Sequence, residues 1–370
     1  MKKLIILLFV TSIFACQSDD NMGESGNADN FDRQAMLANW ADNIIIPGYE
    51  NLATETEVLR LAGADFKENP DGINLDNLRN AWQSAYVVWQ NVAMFEIGKA
   101  EELRLQNNLN IYPTDVDSLT ANVMSESYNL ELPSEISKQG FPALDYLLFG
   151  IHQDEMAIIE FYNSDSNAGK YLQYITNLTT RIDQLVDAVL EDWTTEYRAT
   201  FVENSGNSAL ASVDKMTNDY IFYYEKHLRA GKIGIPAGVF SGDVLRNRVE
   251  GFYKKDISKM LFLEGLDAMQ NFFNGQHFKS TTTGEGMASY LDYLAVEKGG
   301  TNLKNYINQQ FDSARTAAIK LNDSFAEQVE TDNVKMLEAY DQLQLNVVNL
   351  KVDMLQAFNI SVDFVDSDGD

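Results

Sequence analysis

The chain has 370 residues but only one cysteine, Cys16, which excludes any disulfide within it. Its three histidines, His152, His227 and His277, form no His-Glu-x-x-His pair. A standard zinc hydrolase is therefore disfavoured, while an all-carboxylate site for a hard cation stays open. No Gly-x-Ser-x-Gly elbow, P-loop or dinucleotide fingerprint occurs. Positive charge is scarce: 28 Lys and Arg face 55 Asp and Glu, for a net charge of −27. A surface of that sign repels nucleic acid and anionic headgroups. Past residue 15 no apolar run is long enough to cross a bilayer. Strand signals are few: short β-branched runs such as "NIIIP" appear, and a proline ends that one.

The first residues carry an address. Lys2 and Lys3 precede a short apolar stretch, and Ala15 then meets Cys16. This reads as a signal peptide over residues 1–15. "SIFAC" resembles a bacterial lipobox, which predicts a lipidated Cys16 at the new N-terminus; Phe14 is an unusual neighbour, and ordinary secretion with a spare thiol is the alternative. Residues 16–33 are then the lipidated cysteine and a polar, acidic tether with nothing to bury. The acidic cluster after the cysteine resembles surface-export signals of Bacteroidetes lipoproteins. The expected location is the outer membrane, held by lipid, on the periplasmic or the outer side.

Helical periodicity dominates the rest. Leu75, Leu78, Trp82, Ala85, Trp89, Val92 and Phe95 make one apolar stripe, read as a long helix within residues 73–102. Tyr171, Ile175, Leu178, Ile182, Leu185, Val189 and Trp193 repeat the pattern, as do Met336, Tyr340, Leu343, Val347, Leu350 and Met354. Asn207 or Ser208 can cap a helix that ends at Gly231. With 45% hydrophobic residues the chain can fill a core. The expectation is an all-α fold of two packed four-helix-bundle-like domains, residues 34–203 and 204–370, divided at "ENSGNS". Similar helix counts on the two sides leave room for an internal duplication.

Two stretches compete as a site. In "GIHQDE", His152 and Glu155 have the spacing of two metal ligands on one helical turn, yet two ligands do not make a site. The plain alternative is a polar turn after a helix ending at Gly150. His227 lies near a helix C-terminus, where an imidazolium suits the dipole, and His277 sits in a loop. The terminal "DSDGD" echoes a calcium loop without its distal glutamate. In "GFPALDYLLFG", Gly140 and Pro142 suit a helix start, and Asp145 faces packing partners, where a carboxylate needs a mate.

"GFPALDYLLFG" is similar to the signature of the imelysin family, Gly-x-His-x-x-Glu followed by an aromatic, two leucines and a glycine. "AWQSAYVVWQNVAMFEIG" resembles that family's Trp-containing second helix, "YPTDVD" its Trp-Pro-x-Asp stretch, "KIGIPAG" a block in its second domain, and "SVDFVDSDGD" the tails of Bacteroidetes members. In order, these blocks span most of residues 35–370. The resemblance implies two packed helical domains with a site between them, export, and a link to iron acquisition; the founding member is described as a metallopeptidase.

The chain departs from that pattern where chemistry would sit. Pro142 replaces the histidine and offers a metal no donor. Asp145 replaces the glutamate, and Tyr86 and Ala93 stand where an arginine and a glutamate are expected. A polar cleft remains as the expected ligand site, built from Glu96, Asp115 and Asp145 on one side and Arg229, Lys232 and Glu250 on the other. The first reading is a non-catalytic binding lipoprotein beside an outer-membrane iron or haem uptake receptor, its cleft suited to a small anion, a chelated metal or a peptide end, with iron or another divalent cation as the cofactor to look for. The alternatives are a metallopeptidase with a rebuilt acidic site, for which His152 and Glu155 are fallback ligands, and a structural scaffold.

Overall fold

Apolar side chains at helical spacing can be buried only by packing helix on helix, and the computed structural model, described over residues 30–364, does this throughout. Ile46–Glu68 is the spine of the N-terminal half and packs against both Gly72–Trp89 and Ala168–Asp192. In the C-terminal half Leu303–Ala318 packs on Asn333–Val348, which also covers Tyr223–Gly234. From Asp32 onward the described residues form one packed unit. The only strands among them are Glu297–Lys298 and Thr301–Asn302, paired antiparallel. No helix of the described residues is long and apolar enough to cross a membrane. The signal segment, Cys16, most of the tether and the terminal "DSDGD" lie outside the described residues.

The three apolar stripes are buried from end to end. The first is carried by a shorter helix than its periodicity predicts. Gly72–Trp89 stops at Gln90, whose N–H turns back to Val87 O, and Val92 N bonds Trp89 O. Such i−3 bonds tighten the last turn, so Val92 and Phe95 reach the core from a turn. "NIIIP" is helical as well: Ala41–Ile45 is one π turn that runs on into Ile46–Glu68, with Ile46 N bonded to Ala41 O and Pro47 following it.

The helix expected to end at Gly231 runs further. Ser212–Phe222 continues as a π-helical stretch, Tyr223–Gly234, and its N-cap is Ala211 rather than Asn207 or Ser208. Gly231 is closely packed: a Cβ there would sit 3.3 Å from the Tyr112 hydroxyl and 3.2 Å from Lys226 O, so those neighbours would have to shift slightly. Stretches of this kind often mark functional sites, and this one carries Glu225, His227, Arg229 and Lys232.

The two halves are joined by more than the chain crossing. The helix Ser258–Phe273 lies against Gly72–Trp89, and Phe272 meets Trp40 and Phe95 at ring distances of 4.9 and 5.1 Å. Asn91 Nδ2 donates to Glu264 Oε1 at 2.8 Å. The glycine-containing loop around His277 ties back too, with Phe278 N donating to Asn43 O.

Candidate functional site

The motif helix Gly140–Asp145 opens on a glycine because nothing else fits. Gly140 has φ +76°, and a Cβ would lie 2.2 Å from Leu109 O. Phe141 then stacks on Tyr86 with centroids 4.7 Å apart, and Trp82 Nε1 donates to Phe141 O at 3.0 Å. Tyr86 therefore fills, as packing, the place where an arginine was expected. Pro142 sits in the first turn and is buried. It lines a small cavity of about 140 Å³ with Tyr112, Asn247, Phe252 and Tyr253.

Asp145 finds its mate in the other half of the molecule. The Tyr253 and Lys254 N–H groups each donate to one of its carboxylate oxygens at 2.8 Å. Burial pushes the Asp145 carboxyl up to about 7, against those two donors and the Lys254 charge, which pull it down. A Cβ at Gly150, one turn on, would run into the Tyr253 ring at 2.2 Å, so Gly150 admits that ring. The loop around Tyr253 is thus seated on the motif helix from two points.

Behind the cavity lies a buried polar hub centred on Glu250. Lys232 Nζ donates to Glu250 Oε2 and to Gln90 Oε1, the latter at 2.8 Å. Gln90 Nε2 and Asn110 Nδ2 donate to Glu250 Oε1 at 3.2 and 2.7 Å. The Tyr86 hydroxyl completes the chain, donating to Asn110 Oδ1 at 2.6 Å. Such a charge pair is tolerated in the interior because every oxygen of the carboxylate has a donor. His227 flanks the hub. Burial and the Lys232 charge push it down to about 4, so it is a neutral imidazole and not the dipole-stabilised cation expected from its sequence position.

Three of the six expected cleft residues come together here: Asp145, Lys232 and Glu250. The other three lie elsewhere. Asp115 caps Val116–Ser125, accepting from Ser118 N at 3.0 Å. Arg229 points into the C-terminal half, donating to the Tyr340 hydroxyl and Gln344 Oε1. Glu96 accepts from Gln106 N at 3.1 Å, and burial pushes it up to about 7. Gln90, Asn110, Tyr112 and Tyr253 were missed; Gln90 and Tyr112 stand within blocks that carried the family resemblance, but polarity alone does not say which side chains face inward.

His152 is exposed and rests on the Phe161 ring at 5.0 Å, while Glu155 faces Arg79 at 3.8 Å. Among the described residues no three His, Cys, Asp or Glu side chains are grouped to hold a metal ion. A metal at the family motif does not fit the residues present, because Pro142 has no donor and both Asp145 oxygens are taken. Outside the small cavity, and sharing Phe252 and Tyr253 with it, a wider open cleft of about 1050 Å³ is edged by His152, Arg246, Lys255 and Glu327.

The same layout recurs in solved structures. An imelysin-like protein from Psychrobacter arcticum superposes with a TM-score of 0.68 at 16% identity, covering 90% of this chain and 97% of that one. A putative iron-regulated protein A precursor from Parabacteroides distasonis gives 0.71 at 15% identity, with the same coverage. Among curated proteins, iron-regulated protein A of Synechococcus elongatus is 27% identical over 121 residues, which is 31% of this chain and 33% of that protein. The match therefore spans about a third of that relative's length. Residues 45–350 match imelysin as a family, and on that extent the chain belongs to the imelysin family.

Proposed function

We propose that this protein is a binding member of its family without peptidase activity, serving iron acquisition at the cell envelope. One observation carries the reading: Pro142 stands in place of the motif histidine, and both Asp145 oxygens are occupied by backbone N–H groups of another segment. The motif has become a structural joint. The Synechococcus and Parabacteroides relatives, an iron-regulated protein A and a putative precursor of one, support the iron link. A bare cation finds no donor set here, so the ligand brings its metal already chelated. It enters the cleft over Phe252 and Tyr253, with Tyr112 and Asn247 reaching it from the small cavity. Asp145, Lys232 and Glu250 support that floor from behind.

Titrating the protein with ferric citrate and, separately, haem while following Tyr and Trp fluorescence tests the reading. Saturable quenching is expected, weakened at least about tenfold by Tyr253→Ala, the loss of a stacking anchor. No response to any iron compound would favour a scaffold. Chelator-sensitive cleavage of a denatured protein, lost in Asp145→Asn, would establish the peptidase instead. Anchoring through Cys16, beside an outer-membrane uptake receptor, belongs to the same proposal. Radiolabelled palmitate is expected to enter the wild-type chain and not Cys16→Ser; equal labelling of both would remove the anchor.

A further inference from the structure

The Glu250 hub holds three groups whose chemistry the binding function does not use: an amine, a carboxamide and a carboxyl between them. We infer that Lys232 and Gln90 are placed to form an intramolecular isopeptide bond across the two halves of the molecule, with Glu250 moving the protons.

The geometry has the parts such a bond needs. Lys232 Nζ donates to Gln90 Oε1 at 2.8 Å, so the carbon to be attacked lies one bond beyond the oxygen the amine already contacts. The two oxygens of Glu250 serve different nitrogens: Oε2 contacts Lys232 Nζ, the nucleophile, and Oε1 accepts from Gln90 Nε2, the leaving group. One carboxyl thus touches both ends of the proton transfer. Lys232, Gln90 and Glu250 are 3%, 0% and 2% exposed, so water is kept from the intermediate. Burial holds the Lys232 amine below its usual range, against the pull of Glu250, which favours the neutral nucleophile.

The step balances without a co-reactant. The Lys232 ammonium gives one proton to Glu250, and the freed lone pair of Nζ attacks Gln90 Cδ, driving the C=O electron pair onto Oε1. A second proton passes from Nζ to Nε2 through the same carboxyl. The Cδ–Nε2 bond then breaks as the C=O re-forms, and ammonia departs carrying the first proton as ammonium. Glu250 is left as the carboxylate. No atom is oxidised or reduced, and a secondary amide replaces a primary one.

Purified full chain, denatured and digested with trypsin, decides the matter by tandem mass spectrometry. The expected product joins residues 80–99 to residues 230–246, uncut at Lys232, at a mass about 17 Da below the sum of the two peptides, the mass of ammonia. Glu250→Gln, checked for folding by circular dichroism, is expected to lose the linked product. If that variant does not fold, the wild-type digest still decides. Full recovery of free residues 80–99 with cleavage after Lys232 would overturn the proposal. A link from Lys232 to residues 105–138 would overturn Gln90 as the acceptor in favour of Asn110.

Discussion

Gly140 and Pro142 sit two residues apart and answer to different physics. Gly140 is held by backbone geometry, since its left-handed φ and the nearby Leu109 carbonyl leave no space for a Cβ. Gly140→Ala should cost more than about 2 kcal/mol, combining left-handed strain with the clash. Denaturant unfolding reads it as a lowered midpoint at unchanged slope. Pro142 answers to chemistry. Restoring the family residue by Pro142→His is expected to give no tight Zn²⁺ or Fe²⁺ binding by titration calorimetry, because the Asp145 oxygens remain engaged with Tyr253 and Lys254. Micromolar binding would show that the proline alone disarmed the motif.

Among the elements, the joint between the motif helix and the loop at Tyr253 matters most. Asp145→Asn leaves one oxygen acceptor and sets an NH₂ against an N–H donor, at a cost of about 1–3 kcal/mol. Hydrogen exchange at the Tyr253 and Lys254 amides should accelerate, while exchange in Ala168–Asp192 stays unchanged. Equal acceleration in both would mean that the joint is not local. The start of this helix was legible in the sequence because glycine and proline act on their own backbone. Its partner was not, since Tyr253 lies 108 residues further on and offers only a main-chain N–H, which no sequence pattern marks. The Gly72–Trp89 helix teaches the same lesson: periodicity reported that Val92 and Phe95 are buried, but not that a turn puts them there.

For the whole molecule, the buried carboxyls set the response to pH. Burial pushes Asp145 and Glu96 up to about 7, Asp219 to about 8 and Asp214 to about 6. In that range the folded chain binds more protons than the unfolded one, so stability rises as pH falls. The net charge of −27 acts in the same direction, because protonation relieves self-repulsion. His227, pushed down to about 4, opposes this once the unfolded imidazole begins to protonate near about 6.5. His227 offsets only one of these four groups, so the thermal midpoint is expected to climb as pH falls from about 8 to about 4.5 and to level off once the unfolded carboxylates protonate near about 4. A midpoint that falls over that interval in a pH series of calorimetric scans would refute this account.

The helical class, the buried stripes and the family itself were determined by the sequence, because helical spacing and local backbone chemistry act over a few residues. Loss of the motif histidine was equally plain, since a proline cannot ligate wherever it is placed. Only the tertiary structure decided which polar residues meet. It sent Asp115 to a helix cap and Arg229 into the C-terminal half, and it brought Gln90, Lys232 and Glu250 into one dry contact. Residues 142 positions apart, such as Gln90 and Lys232, become neighbours through packing of the two halves, and burial then gives an ordinary lysine and glutamine a chemistry that their identity alone does not announce.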